Sequence, residues 1–146
     1  MTADGDKYFS ALALENSPDW MTAGGHIPHI TMHYFGAIGP EYAAQINAYL
    51  QNTGRSSFRL MPKALERFGD GWAMTFKKSR VFGSLCEFRA MLAAQPVISE
   101  LADTTYPDFV PHLSLPGNMT IYQLPNDLIS FTGVHLYRST RRTERV

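Results

Sequence analysis

Cysteine occurs once in the 146 residues, at Cys86. A single thiol can close no intramolecular disulfide and build no thiolate metal cage, so a reducing compartment is expected. Excess charge is missing as well: thirteen Lys and Arg balance thirteen Asp and Glu, for a formal net charge of zero. Counterion release then gives no general drive toward nucleic acid, and a long duplex is not the expected partner. No apolar run nears the ~18 residues of a membrane helix, and the start, MTADGDKYF, has neither the basic nor the apolar part of a signal peptide. A cytoplasmic location away from membranes is expected. Blocks of like charge and low-complexity stretches are absent too, which leaves no visible linker. With 45% hydrophobic and 12% aromatic residues the chain can bury a core, and its length fits one domain spanning residues 1–146.

Apolar, aromatic and β-branched runs at 8–14, 29–35, 110–115 and 129–137 read as strands bounded by turn-forming residues. Two more, 58–68 with Pro62 inside it and 72–77, flank Gly69-Asp70-Gly71, a hairpin signal. Elsewhere the period changes. Tyr42, Ala43, Ile46, Tyr49 and Leu50 recur at helical spacing behind Pro40, with Gly54 as the stop. Ser84-Leu85-Cys86-Glu87 has the form of a capping box and predicts a second helix beginning there, with Leu85, Phe88, Met91 and Leu92 on its apolar face. Cys86 falls in the first turn of that helix, with no activating base in view, and reads as a packing residue.

One hexapeptide is built twice. Residues 27–32 read Ile-Pro-His-Ile-Thr-Met and residues 110–115 read Val-Pro-His-Leu-Ser-Leu, alike in type at every position. A lone His-x-Ser/Thr means little, but two copies with a shared proline and apolar flanks describe the same local structure made twice. Strand alternation puts His29 with Thr31 on one face, and His112 with Ser114, while Ile30, Met32, Leu113 and Leu115 point to the core behind. If the two strands lie side by side, two imidazoles and two hydroxyls converge on one cleft. That set suits metal-independent phosphodiester chemistry. One His takes a proton from the nucleophile, the other gives one to the leaving oxygen, and an unperturbed pKa of ~6.5 lets identical side chains fill both roles. Thr31 and Ser114 would donate to the non-bridging oxygens.

Other residues are weaker candidates. The same alternation would place His33 on the face of His29, further out along the cleft. His26, His29 and His33 could be taken for a metal cluster, but His29 and His33, four strand residues apart, are separated by ~13 Å, too far to share an ion, so neither metal nor cofactor is expected. Tyr8, Trp20 and Phe109 are candidate substrate contacts, with Trp72 and Tyr122 as further stacking surfaces for bases. Arg138, Arg141, Arg142 and Arg145 could meet phosphates, though they read more simply as a basic tail.

Pro28-His29-Ile30-Thr31-Met32, continuing through Tyr34-Phe35-Gly36, and Pro111-His112-Leu113-Ser114-Leu115 resemble the paired motifs of the 2H phosphoesterase superfamily. That group includes bacterial RNA 2′,5′-ligase-like proteins, cyclic nucleotide phosphodiesterases, 2′,5′-oligoadenylate phosphodiesterases, and phage members that degrade cyclic-oligonucleotide immune signals. The order of elements fits over nearly the whole chain. The resemblance implies an α+β, bilobal fold: two pseudo-symmetric lobes of antiparallel sheet, helices outside and a cleft between. It also implies cleavage of a small ribonucleotide or short oligonucleotide carrying a 2′,3′-cyclic phosphate, a 2′,5′ linkage or a cyclic backbone. Two features depart from the pattern: a Gly- and Pro-containing stretch at 15–25 where many members have a helix, and Pro116-Gly117 directly after the second motif. Both would alter the rim of the cleft. The rival reading is a non-catalytic module that binds or sequesters nucleotides in the same cleft.

Overall fold

The computed structural model describes residues 7–15, 28–53, 57–68, 71–103, 109–115, 124, 127–139 and 143–146. Among these the elements are β1 (Lys7–Leu14), β2 (His29–Gly36), α1 (Pro40–Gln51), β3 (Ser57–Leu60), β4 (Pro62–Phe68), β5 (Gly71–Phe76), α2 (Arg80–Ala93), α3 (Pro96–Ser99), β6 (His112–Ser114), β7 (Ile129–Ser139) and β8 (Thr143–Arg145). The strands form one antiparallel sheet in the order β3-β7-β1-β2-β6-β5-β4, with β8 paired to β7. The fold is α+β, and β2 and β6, the two strands of the repeated hexapeptide, are neighbours.

The stretch expected as one strand at 58–68 is two. Proline has no N–H to give to a ladder, and the chain changes partner beside Pro62: β3 pairs with β7, whereas β4 pairs with β5. These are the two ends of the sheet, one residue apart in the chain. The sheet is therefore bent so that its ends meet at Met61, whose carbonyl accepts from the N–H of Lys77 at 2.8 Å. The hairpin signal is matched by the pairing of Phe68 with Gly71. The strand expected at 110–115 is shortened to three residues, with Pro111 at its entrance.

The second helix begins earlier than expected. Its cap is Ser79, whose Oγ accepts from the N–H of Phe82 at 3.1 Å. Ser84 and Cys86 consequently lie in the second turn, and the Ser84–Glu87 spacing is a coincidence inside the helix. Leu85 and Leu92 are buried, but Met91 is exposed on the solvent side.

The helices cover one face of the sheet. Ile30 and Leu113 meet Ile46 and Leu50 of α1, Leu85 and Leu92 of α2, Ile98 of α3, and Phe131 and Leu136 of β7 in one core. Ile30 and Leu113 are 0% exposed, and full burial of such a side chain stabilises by about 2 kcal/mol. The apolar residue inside each motif thus pins its polar neighbours to a rigid strand. The opposite face carries a small cluster of Phe9, Ala11 and Tyr137. Three register shifts shape this region. Between β1 and β2 the register moves from Ala11↔Thr31 to Ser10↔His33, which inserts Met32, and from Phe9↔Tyr34 to Tyr8↔Gly36, which inserts Phe35. Between β1 and β7 it moves from Ala13↔Thr132 to Leu12↔Val134, which inserts Gly133 at φ +67°.

Candidate functional site

β2 and β6 pair through Ile30 and Leu113. On an antiparallel ladder this register sets His29 across from Ser114 and Thr31 across from His112. Since Ile30 and Leu113 point into the core, all four polar side chains emerge on the other face, with the imidazoles at opposite corners of a quartet and the hydroxyls at the remaining two. Diagonal neighbours of this kind are about 7–8 Å apart at the backbone. The quartet expected from the repeat is therefore brought together by strand pairing. A cleft of about 550 Å³ opens on this face; it holds one residue of each motif, His29 and Ser114, and runs past Phe9 to Tyr34 and Lys7.

Each imidazole is seated on aromatic rings. His29 lies 5.0 Å from the ring of Phe9 and 5.9 Å from that of Tyr137. His112 is stacked on Phe68 at 4.4 Å with the planes 9° apart, and its Nδ1 is 2.8 Å from the carbonyl oxygen of Val110. A carbonyl only accepts, so Nδ1 carries the proton and Nε2 is the atom left to exchange one. Across from His112 on β5, Thr75 donates to Glu66 Oε2 at 2.6 Å.

Three expected site residues are elsewhere. His33 is turned to the core by the Met32 bulge, because one inserted residue reverses the alternation of the residues that follow it, His33 and Tyr34. It is 4% exposed; Nδ1 lies 3.5 Å from Ser10 Oγ, and Nε2 has no partner among the described residues. Burial, reinforced by the nearby charge of Arg89, pulls its pKa down to about 4. Tyr34 takes the cleft position instead and is 57% exposed. Tyr8 is buried among the core residues on the helix-covered side, and its neighbour Phe9 faces the cleft. Phe109 packs against the core beneath the guanidinium of Arg89, 4.7 Å from its ring. Trp20, His26 and Tyr122 lie outside the described residues. With His33 and His29 on opposite faces, the metal trio does not converge, and no group of three metal-binding side chains occurs among the described residues.

The site residues that sequence reasoning missed are Phe9, Tyr34, Phe68 and Tyr137. No alternation marks Phe9, because β1 is a central strand with residues 8–12 buried on both faces. Arg138 and Arg145 are not part of a tail: Arg138 forms an ion pair with Glu144, and Arg145 lies over the ring of Tyr137 at 5.9 Å, while Arg141 and Arg142 lie outside the described residues.

No family model and no curated protein matches the chain in sequence. Solved structures do match its fold. Escherichia coli LigT in complex with 3′-AMP superposes with a TM-score of 0.62 at 13% identity, over 97% of this chain and 94% of that one. LigT with ATP gives 0.63 at 14%, over 97% and 94%, and a structure described as a phosphoesterase gives 0.62 at 15%, over the same shares. LigT is a 2H phosphoesterase, and this chain takes the LigT fold, an antiparallel sheet with three helices, over nearly its whole length.

Proposed function

We propose that the protein is a metal-independent phosphodiesterase acting on a small ribonucleotide or short oligonucleotide, with His29 and His112 as general acid and base and Thr31 and Ser114 holding the phosphate. The observation that carries this reading is the Ile30↔Leu113 pairing, which gives a near-twofold quartet of two imidazoles and two hydroxyls on the exposed face of the sheet. In this reading the paired motifs are the seam between two lobes of a single domain, each lobe supplying one His and one hydroxyl.

The diagonal arrangement suits displacement at phosphorus. A phosphate between the corners has one imidazole on the side of the attacking oxygen and the other on the side of the leaving oxygen. One His removes the proton of water, or of a neighbouring ribose hydroxyl, as the new P–O bond forms. The opposite His, protonated, gives its proton to the ribose oxygen as the old P–O bond breaks. The two hydroxyls donate to non-bridging oxygens, where charge builds in the transition state. The hydrogen bond to Val110 and the stack on Phe68 hold His112 with Nε2 as its working atom. LigT binds 3′-AMP and ATP, and nucleotides are accordingly the ligand class we assign here. Tyr34 and Phe9 offer rings to a base.

The test is turnover of 2′,3′-cyclic AMP and of 2′,5′- and 3′,5′-linked dinucleotides in the presence of EDTA. His29→Ala and His112→Ala should each lower kcat by about 10²–10⁴-fold, with 3′-AMP still bound. Unchanged turnover in both variants overturns the two-His mechanism. Binding without turnover in the unaltered protein supports the sequestering module, and loss of activity in EDTA overturns metal independence.

A further inference from the structure

The cleft continues beyond the quartet onto a part of the sheet that the mechanism does not use. Lys7 of β1 is paired with Ser139 of β7, which is paired with Thr143 of β8. All three line the cleft that contains His29. The next row on the same face of the sheet is Phe9, Tyr137 and Arg145; Phe9 lines the cleft, and the guanidinium of Arg145 lies over the Tyr137 ring beside it. Two cations and two hydroxyls are thus grouped on three adjacent strands. Arg138, on the opposite face, is balanced by Glu144; among the described residues no ion pair balances Lys7 or Arg145. A cation flanked by hydroxyl donors is the chemistry of a phosphate site.

The position of this group limits what it can hold. Phe9 lies 5.0 Å from His29, ring to ring, and Lys7 is two residues further on, about 7 Å. The group therefore begins about one nucleoside away from a phosphate at the quartet. Asp103, which also lines the cleft, is tied to the β2 side by its N–H to the carbonyl of Tyr34.

We infer that Lys7, Ser139 and Thr143, with Arg145, form a second phosphate subsite, so that the protein favours ligands with another phosphate one nucleoside removed from the reacting one. Short linear or cyclic oligonucleotides have such a phosphate and mononucleoside 2′,3′-cyclic phosphates do not. The inference rests on the phosphodiesterase reading above.

Calorimetric binding of 3′-AMP and of adenosine 3′,5′-bisphosphate to the whole chain tests it, because these ligands differ by one phosphate and neither contains a phosphodiester to cleave. The bisphosphate should bind about tenfold more tightly, an increment within reach of charge-assisted hydrogen bonds. Lys7→Gln and Arg145→Gln should each reduce that advantage and together abolish it, with 3′-AMP affinity unchanged; that constancy also shows the cleft to be intact. Equal affinities in the unaltered protein, or an advantage that survives in the double variant, would overturn the subsite. If bisphosphate shows no advantage while His29→Ala still abolishes turnover, the subsite fails alone. If turnover survives His29→Ala and His112→Ala, the two-His reading fails whatever the binding result, and binding of neither ligand overturns the subsite.

Discussion

His33 shows how little a histidine's position in a motif decides about its chemistry. It is four residues from His29, yet burial and the charge of Arg89 hold its pKa at about 4, so near neutral pH the folded protein keeps it uncharged. The consequence is a pH dependence of stability. Unfolded, the ring takes up a proton as pH falls through its ordinary 6.5; folded, it does so only near 4. Stability is therefore complete above pH 6.5, falls between 6.5 and about 4, and loses nothing further to this group below that, about 3 kcal/mol across the window. His135, lowered by burial and then by Arg145, acts in the same direction. Urea unfolding of the unaltered protein and of His33→Leu between pH 7 and pH 4 should show a clearly flatter profile for the variant. Parallel profiles would mean that His33 protonates in the folded state as it does in water. The face of His33 was not legible in the sequence, because a bulge is a one-residue event: β2 alternates cleanly from His29 to Met32, and nothing in Met32-His33-Tyr34 announces that the phase then reverses.

At the scale of elements, the chain's own punctuation decides where strands and helices begin, and two substitutions separate competing signals. Ser79 caps α2 and Ser84 lies within it. Ser79→Ala should cost about 1 kcal/mol, whereas Ser84→Ala, which puts a better helix former at an exposed interior position, should be neutral or slightly stabilising. Comparable losses at both sites would restore the later start. The bulge in β7 offers a second contrast. Gly133 and Gly36 both have left-handed φ, +67° and +70°, but a Cβ on Gly133 would stand 2.9 Å from His135 Nε2 while one on Gly36 meets nothing within 4 Å. Gly36→Ala should cost about 1 kcal/mol of backbone strain; Gly133→Ala should cost more, since the His135 ring must also move. Equal losses in thermal unfolding would show that the contact adds nothing. β1, β2, β5, β7 and α1 could be read from composition and period. The division of 58–68 between opposite ends of the sheet could not, because Pro62 marks an interruption without saying where the chain goes next. β8 was hidden for another reason: Thr143, Glu144 and Arg145 have no apolar face and are strand only because they pair with β7.

For the whole molecule, the duplicated hexapeptide carried the most information, since two copies of one local structure suggest a common surface before any topology is known. What it could not supply was the register. A shift of one residue between β2 and β6 would have sent one pair of polar side chains to the core, and the quartet exists because Ile30 meets Leu113. Net charge is the other property of the whole chain with a bearing on function. At zero formal charge the protein has no long-range pull on an anionic ligand, so affinity must come from contacts within the cleft, and the number of cations there sets the response to salt. With Lys7 and Arg145 as those cations, the affinity for adenosine 3′,5′-bisphosphate should fall with a log–log slope no steeper than about −1.4 between 50 and 200 mM salt, about 0.7 per neutralised phosphate. The slope for 3′-AMP should be shallower, because that ligand leaves the pair unused. A slope several times steeper would require a basic surface that engages many phosphates at once, and the ligand would then be a long nucleic acid, not a short one.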